Sequence, residues 1–387
     1  MADIPVIDIS SENEDAARQL LAAATDNGFA FIKNNDATGL SPSDIQGMFD
    51  LSASFFAAPT NVKEECSINS NKSGKNRGWL GMHAETLDPS KQKKGDFKEA
   101  FNFSPHNPPQ PLSGPLSTQR DTLLTFQTKC HSLCLHILRL FATALSIPRT
   151  WFEERHDFSQ GETGSILRLL YYPSLQTLKA RASRTQHNEG SEVNGTDQEK
   201  QWQEFEEGED VRAGAHSDYG SVTLLFQQLG QPGLEILTKE GKWASVPVNP
   251  NDNPGPLPIL LNIGDLLSYW TNGLLKSTVH RVIFPSPSST APSPSPASAP
   301  AGQDRYSLAY FCHPLDACPL LPVPSKMVEE MSGSEEARGE VRKVRGLAGW
   351  HDRSEEGQEG KGKGEAEVLT AKDHLNARLG ATYGVKT

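Results

Sequence analysis

Three side chains stand out by type and spacing as metal ligands. In AHSDYG (215–220), His216 and Asp218 lie two positions apart. On a strand, residues i and i+2 point to the same face, so an imidazole and a carboxylate there converge on one ion. A further histidine, His280, sits in the strand-like stretch KSTVHRV (276–282). Two imidazole nitrogens and one carboxylate on one face of an octahedron leave three positions open. That arrangement suits Fe(II) that must engage both O2 and an organic co-ligand. An H-x-D pair by itself also describes a solvent-facing strand, so the rest of the sequence has to decide.

Downstream, DRYSLAYF (304–311) places Arg305 and Ser307 two apart on another strand. Arginine grips a carboxylate through two parallel hydrogen bonds, and a serine hydroxyl adds a third. Again the bare pattern is not specific, because a solvent-facing arginine is the ordinary case. The order of the pieces adds the missing context: H-x-D, NIGD, WTNG, H-R-V and then R-x-S follow one another along the chain.

In that order the chain resembles the 2-oxoglutarate/Fe(II)-dependent dioxygenase superfamily. It is most similar to the isopenicillin N synthase-like branch, in a fungal-type form. The matching stretches are HSDYGSVTLLFQ, PGLEIL, GKWASVPV, NIGDLLSYWTNGLLKSTVHRV and RYSLAYFCHP, with IPVIDIS, DNGFAFIKN, SASFFAAP, NRGWLGM and DFKEAFNF upstream. The resemblance implies that His216, Asp218 and His280 hold Fe(II). It implies that Arg305 and Ser307 bind the distal carboxylate of 2-oxoglutarate, and that Tyr172 in LLYYP hydrogen-bonds the same co-substrate. The branch often carries Asn two residues before that tyrosine; Leu170 stands here, so one polar contact is missing. The implied reaction is oxidation of a small organic molecule, by hydroxylation, desaturation or ring closure, with O2 consumed and succinate and CO2 released. Phe101, Phe103 and Phe311 are candidates for the substrate pocket, since such pockets are mostly apolar. His313 is excluded as a fourth ligand, because it would block an open iron position. Asn262, Gly264, Asp265 and Asn272 read as turn formers, Trp79 and Trp270 as packing, and Arg281 as one half of an ion pair.

These residues need strands to carry them. ILRLLYYP (166–173), 215–227, LEIL, WASVPV, LPILLNIGD, STVHRVIF and DRYSLAYF are short apolar runs separated by Gly, Pro and Asn turns, as in an antiparallel barrel or jelly roll. Ahead of them come helix patterns: one after Ser10 and Ser11, ending near Asn27-Gly28; one from Ser41-Pro42 to Pro59; and one over 123–146, stopped by Pro148. GFAFIK (28–33) reads as a strand. The expected class is α+β, a double-stranded β-helix (jelly-roll) core with an N-terminal α/β region and flanking helices. The expected organisation is an N-terminal region over 1–115, a connecting helix over 116–160, a catalytic core over 161–320, and a charged linker with a C-terminal helix over 321–387. Segments 176–211, 286–303 and 332–367 are too polar or too rich in Pro, Ser and Gly to bury a core, and read as surface insertions.

Composition narrows the partners. The chain of 387 residues has a formal net charge of -11, which offers no general attraction to nucleic acid or anionic membrane. No apolar run approaches the roughly 20 residues that span a bilayer, and the N-terminus lacks a secretory pattern. Five cysteines, an odd number, argue against a disulfide framework and for a reducing compartment. The expectation is a cytoplasmic monomer with a small-molecule substrate. Two other classes stay open on these residues: an oxidase on the same scaffold that uses no 2-oxoglutarate, and a non-catalytic binding protein.

Overall fold

The computed structural model describes residues 1–70, 76–105, 109–188, 211–284, 303–331 and 369–383, with positions 334, 335, 338, 339 and 342. Twelve strands lie within them. They are β1 (Val6–Ile7), β2 (Phe29–Ile32), β3 (Gly78–Leu80), β4 (Glu99–Phe103), β5 (Ile166–Tyr172), β6 (Ala213–His216), β7 (Val222–Gln227), β8 (Leu234–Leu237), β9 (Trp243–Ser245), β10 (Ile259–Ile263), β11 (His280–Val282) and β12 (Arg305–Cys312). An eight-stranded sheet runs β1-β2-β10-β7-β12-β5-β4-β3, and a four-stranded sheet runs β6-β11-β8-β9. Every pairing among these strands is antiparallel except β1 with β2. The two sheets form the two layers of a jelly roll, the fold that the alternating short strands predict.

Strand alternation divides the large sheet into two faces with separate apolar cores. On its outer face, Leu167, Leu169 and Tyr171 of β5 and Leu308 and Tyr310 of β12 join Phe126, Cys130, Cys134, Ile137 and Phe141 of the Arg120–Ala144 helix. Those helix positions recur every three or four residues, the spacing of one helical face. On the inner face, Leu170, Tyr172 and Ala309 meet Ala213, Ile236 and Val282 of the small sheet. The inner face is where the candidate ligands project.

Strands β1 to β4 all come from the first 115 residues, yet they pair into the same large sheet as the core strands. The β3–β4 hairpin extends the sheet through β5, with Phe101 opposite Leu169 and Trp79 opposite Phe101. The Pro42–Phe56 helix starts on a capping box, in which Ser41 and Asp44 each accept from the other's backbone N–H. Gly28, at φ 76°, ends the Ala16–Asp26 helix; a Cβ there would lie 2.1 Å from the Lys276 carbonyl oxygen.

Segment 176–211 differs in part from expectation. Its first part is a helix, Leu175–Asn188, anchored by buried Leu178 and by Ser174 Oγ, which accepts from the Thr177 amide. Residues 189–210, 285–302 and most of 332–368 lie outside the described residues, so the insertions expected there are not described further. The final helical pattern forms a helix over Ala371–Tyr383.

Candidate metal centre and co-substrate pocket

His216 and His280 face each other directly across the β6–β11 pair, with ring centroids 4.4 Å apart. Asp218 completes the group: its Oδ1 lies 3.9 Å from His216 Nε2 and 3.7 Å from His280 Nε2. One donor atom from each falls within 4.8 Å of the others, and among the described residues this is the cluster of that kind. Contrary to expectation, His216 and Asp218 do not share a strand. Strand β6 ends at His216, and Asp218 belongs to the turn before β7. What aims it is a set of bonds to other elements: its carbonyl accepts from the Asp265 amide at 2.7 Å, and its Oδ2 accepts from Thr223 Oγ1 and Asn262 Nδ2, both at 2.7 Å.

The donor chemistry fits a divalent cation. A backbone carbonyl can only accept, so each Nδ1 facing one must carry the proton. His216 Nδ1 donates to Gly214 O at 2.8 Å and His280 Nδ1 to Thr278 O at 3.1 Å. Both Nε2 atoms face Asp218 Oδ1, the carboxylate oxygen that the other two donors leave over, and are the ring nitrogens positioned to bind an ion. Such outer partners fix ring orientation and tautomer at metal sites. Burial, then the neighbouring His280, pushes His216 down to about 3, so the ring is neutral. Burial works against the Asp218 carboxylate, but the two histidines, Thr223 and Asn262 together hold it below its usual range.

The three candidate ligands line a cavity on the inner face of the large sheet. Register places Arg305 opposite Tyr172, Ser307 opposite Leu170 and Ala309 opposite Arg168 on β12 and β5. All six line the cavity. Arg305 is 2% exposed, and its guanidinium lies 4.9 Å from the centre of the Tyr172 ring. It donates through Nη1 to Ser307 Oγ and through Nε to Gln231 O, both at 3.2 Å. Among the described residues it has no ion-pair partner, and a buried unpaired guanidinium is costly unless an anion meets it.

Of the three phenylalanines expected in the pocket, Phe311 lines it. Phe101 and Phe103 do not. Their partners across β4–β5 are Leu169 and Leu167, so alternation turns them to the helical side, where both are fully buried and Phe101 packs on Phe55. Trp270 is core, and Trp79 donates from its indole to Glu99 at 3.0 Å. Arg281 pairs with Glu235 at 2.8 Å. His313 lines the cavity without joining the ligand cluster.

Several contributors had no clear signature in the sequence. Asn262 and Asp265 do more than form turns: Asn262 is in β10 holding Asp218, and Asp265 accepts from Ser277 at 2.7 Å and pairs with Arg378 at 3.4 Å. Arg378 also donates to Ser217 O at 3.2 Å, tying the Ala371–Tyr383 helix to the ligand turn, and that helix brings Leu375 and Leu379 to the cavity wall. On the opposite side of the cavity, Arg168 pairs with Glu85, which also takes Lys98 at 3.1 Å. Lys98 reaches Asp96 as well, and Asp96 accepts from the Gly214 amide at 3.0 Å.

Two stretches of the sequence match known families. Residues 4–121 match the N-terminal region of the non-haem dioxygenases in morphine synthesis, and residues 183–314 match the 2OG-Fe(II) oxygenase superfamily. A Schizosaccharomyces pombe protein, UPF0676 protein C1494.01, is 31% identical over 342 residues, 86% of this chain and 87% of its own. This chain belongs to the 2-oxoglutarate/Fe(II)-dependent oxygenase superfamily. Among relatives of the oxygenase, the 2-oxoglutarate-dependent dioxygenase htyE of Aspergillus rugulosus is 29% identical over 74% of this chain and 78% of its own. A full-length Neurospora crassa protein, crystallised with α-ketoglutarate, superposes with a TM-score of 0.65 at 26% identity, covering 98% of this chain and 96% of that one. The oxygenase is an enzyme that oxidises a small organic molecule with Fe(II), 2-oxoglutarate and O2. No helix among the described residues is long and apolar enough to cross a membrane.

Proposed function

We propose that His216, Asp218 and His280 hold the iron, that Arg305, Ser307 and Tyr172 seat the distal carboxylate of 2-oxoglutarate, and that the region beneath Arg168 and Phe311 takes a small, polar but uncharged substrate for hydroxylation or desaturation. The observation that carries this reading is the meeting, in one cavity, of three converging donor atoms and a buried arginine that has no acid partner among the described residues. Bound Fe(II) supplies O2 activation coupled to decarboxylation of the 2-oxo acid. The chain supplies the rest. The Gly214 and Thr278 carbonyls hold the Nδ1 proton and the orientation of both imidazoles. Arg305 orients the co-substrate by charge, and the Tyr172 ring packs against its guanidinium. Leu375, Leu379 and Phe311 exclude water from the reacting end. Arg168 offers N–H donors to a substrate carbonyl, while Glu85 pairs with it and Asp96 offsets the neighbouring charge of Lys98.

One similar protein supports a small neutral substrate, and another supports the 2-oxoglutarate-dependent reaction. The Neurospora crassa protein has been crystallised with thymine, and htyE is a fungal 2-oxoglutarate-dependent dioxygenase. A cytoplasmic monomer accords with five free, buried cysteines and an acidic chain. The test is anaerobic Fe(II) titration with and without 2-oxoglutarate, followed by the visible charge-transfer band of the chelate. A band with the wild type that is lost in Arg305→Leu supports the assignment. Fe(II) binding with no band removes the co-substrate role from Arg305, and Fe(II) binding undiminished in Asp218→Ala removes the ligand role from Asp218.

A further inference from the structure

Arg212 stands just ahead of β6, four residues before His216, and is 2% exposed. Its Nη2 donates to Pro173 O and to Gln303 O, each at 3.3 Å. Pro173 follows Tyr172, and Gln303 stands two residues before Arg305. The guanidinium therefore bridges the two strand ends whose register sets Arg305 opposite Tyr172. It also lies 5.1 Å from the centre of the Phe284 ring, beyond the end of β11. Its Nε has no hydrogen-bond partner among the described residues, and like Arg305 it forms no ion pair there. The nearest acid by charge, Asp304, is already engaged by the Tyr171 hydroxyl, the Ser174 amide and the Thr177 hydroxyl. Burial lowers Arg212 to about 10, and the charge of Arg305 is the next cause, so the two guanidiniums feel each other.

Arg212 thus ties the strand ends that carry Tyr172 and Arg305, and two buried cations on one such frame, neither in an ion pair among the described residues, are costly unless a ligand brings negative charge. Carbonyl oxygens solvate a guanidinium but do not neutralise it. We infer that Arg212 is a second cation of the co-substrate pocket: a positioning residue that does not line the cavity but acts through Arg305, raising the positive potential at the closed end of the jelly roll so that the pocket selects a 2-oxo acid with a second carboxylate. This rests on the assignment of Arg305 to that carboxylate.

The probes are 2-oxoglutarate and 2-oxovalerate, which share the chelating head but differ at the distal end. Both are titrated anaerobically into the Fe(II)-loaded protein, read by the charge-transfer band and by thermal stabilisation. Arg212→Met is expected to weaken 2-oxoglutarate about ten-fold, the effect of one charge acting through a polar interior, while leaving 2-oxovalerate unchanged. Arg212→Lys keeps the charge but cannot bridge both carbonyls in the same way, and is expected to retain the preference. A preference unaltered in Arg212→Met overturns the inference, as does its loss in Arg212→Lys to the level of Arg212→Met. The same holds if both acids weaken together, because a mere strand tie does that. If Arg212→Met does not fold, the Lys variant decides alone. A wild type that favours neither acid overturns the Arg305 assignment instead.

Discussion

Asn262 Nδ2 lies 2.7 Å from Asp218 Oδ2, a hydrogen bond between a strand and the ligand turn that reserves the other carboxylate oxygen for the two histidines. Asn262 is itself on β10, opposite Thr223 of β7, and Thr223 makes the companion bond. Removing either donor frees the carboxylate to rotate. Asn262→Ala is expected to weaken Fe(II) binding about 10- to 100-fold, the usual cost of losing such an outer partner. Fe(II) titration by calorimetry under argon checks this, and an affinity within two-fold of wild type (roughly 0.4 kcal/mol) would show that Thr223 suffices.

Phe101 and Phe311 make a matched pair of tests, because alternation sends one to the helical core and the other to the cavity. Phe101→Ala is expected to destabilise the fold by about 3–5 kcal/mol through the cavity it leaves. Phe311→Ala is expected to alter substrate KM more than stability. Urea unfolding of both variants, with KM for any substrate found by succinate release, separates the two. Equal stability losses would place Phe311 in the core as well.

The tie from Arg378 to Ser217 O and Asp265 predicts that the last helix and the ligand turn move together. In Arg378→Met, hydrogen exchange is expected to rise both in the Ala371–Tyr383 helix and around residues 217–221. Faster exchange in the helix alone would mean that the turn is held by other contacts.

Acid sensitivity at the other face follows from Asp44. Its hydrogen bond from Lys129, at 2.7 Å, is the main cause that holds the carboxyl below its usual range. A carboxylate depressed in the folded state contributes stability above its unfolded value of about 3.9, and loses it as pH falls through the folded value. Asp44→Asn is therefore expected to cost about 0.5 kcal/mol at neutral pH, mainly through the lost pair with partly exposed Lys129, and to show no deficit once the wild-type carboxyl is protonated. Thermal melts from pH 7 down to pH 2 test the convergence.

The legible part of the molecule was its periodic part. Helices at 16–26, 42–56 and 120–144 and the strands carrying Arg305, Ser307 and Tyr172 repeat apolar residues at regular steps, and pattern reading finds such segments. The donor set was legible because metal chemistry restricts residue types severely. Asp218 was reached by the wrong route: two-residue spacing suggested a common strand, whereas a turn pinned by Asp265 delivers it. Phe101 and Phe103 were misplaced because composition says that a pocket is aromatic but not which face of a strand meets it. Face assignment needed the β4–β5 register, and the β3–β4 hairpin has too few residues to advertise its period. Arg168, Arg212 and Asn262 were invisible as site residues because each works through a partner far away in sequence.

The bond from Arg378 to Ser217 joins positions 161 residues apart. A chain made from its N-terminus presents His216, Asp218 and His280 long before Leu375 and Leu379 emerge to cover them. During synthesis the donor set precedes its water-excluding wall, and closing the intervening loop is among the more entropically expensive steps of folding. Of the residues that line the cavity, those of the Ala371–Tyr383 helix are therefore made last, so a chain cut before Ala371 would leave the three donors without this wall.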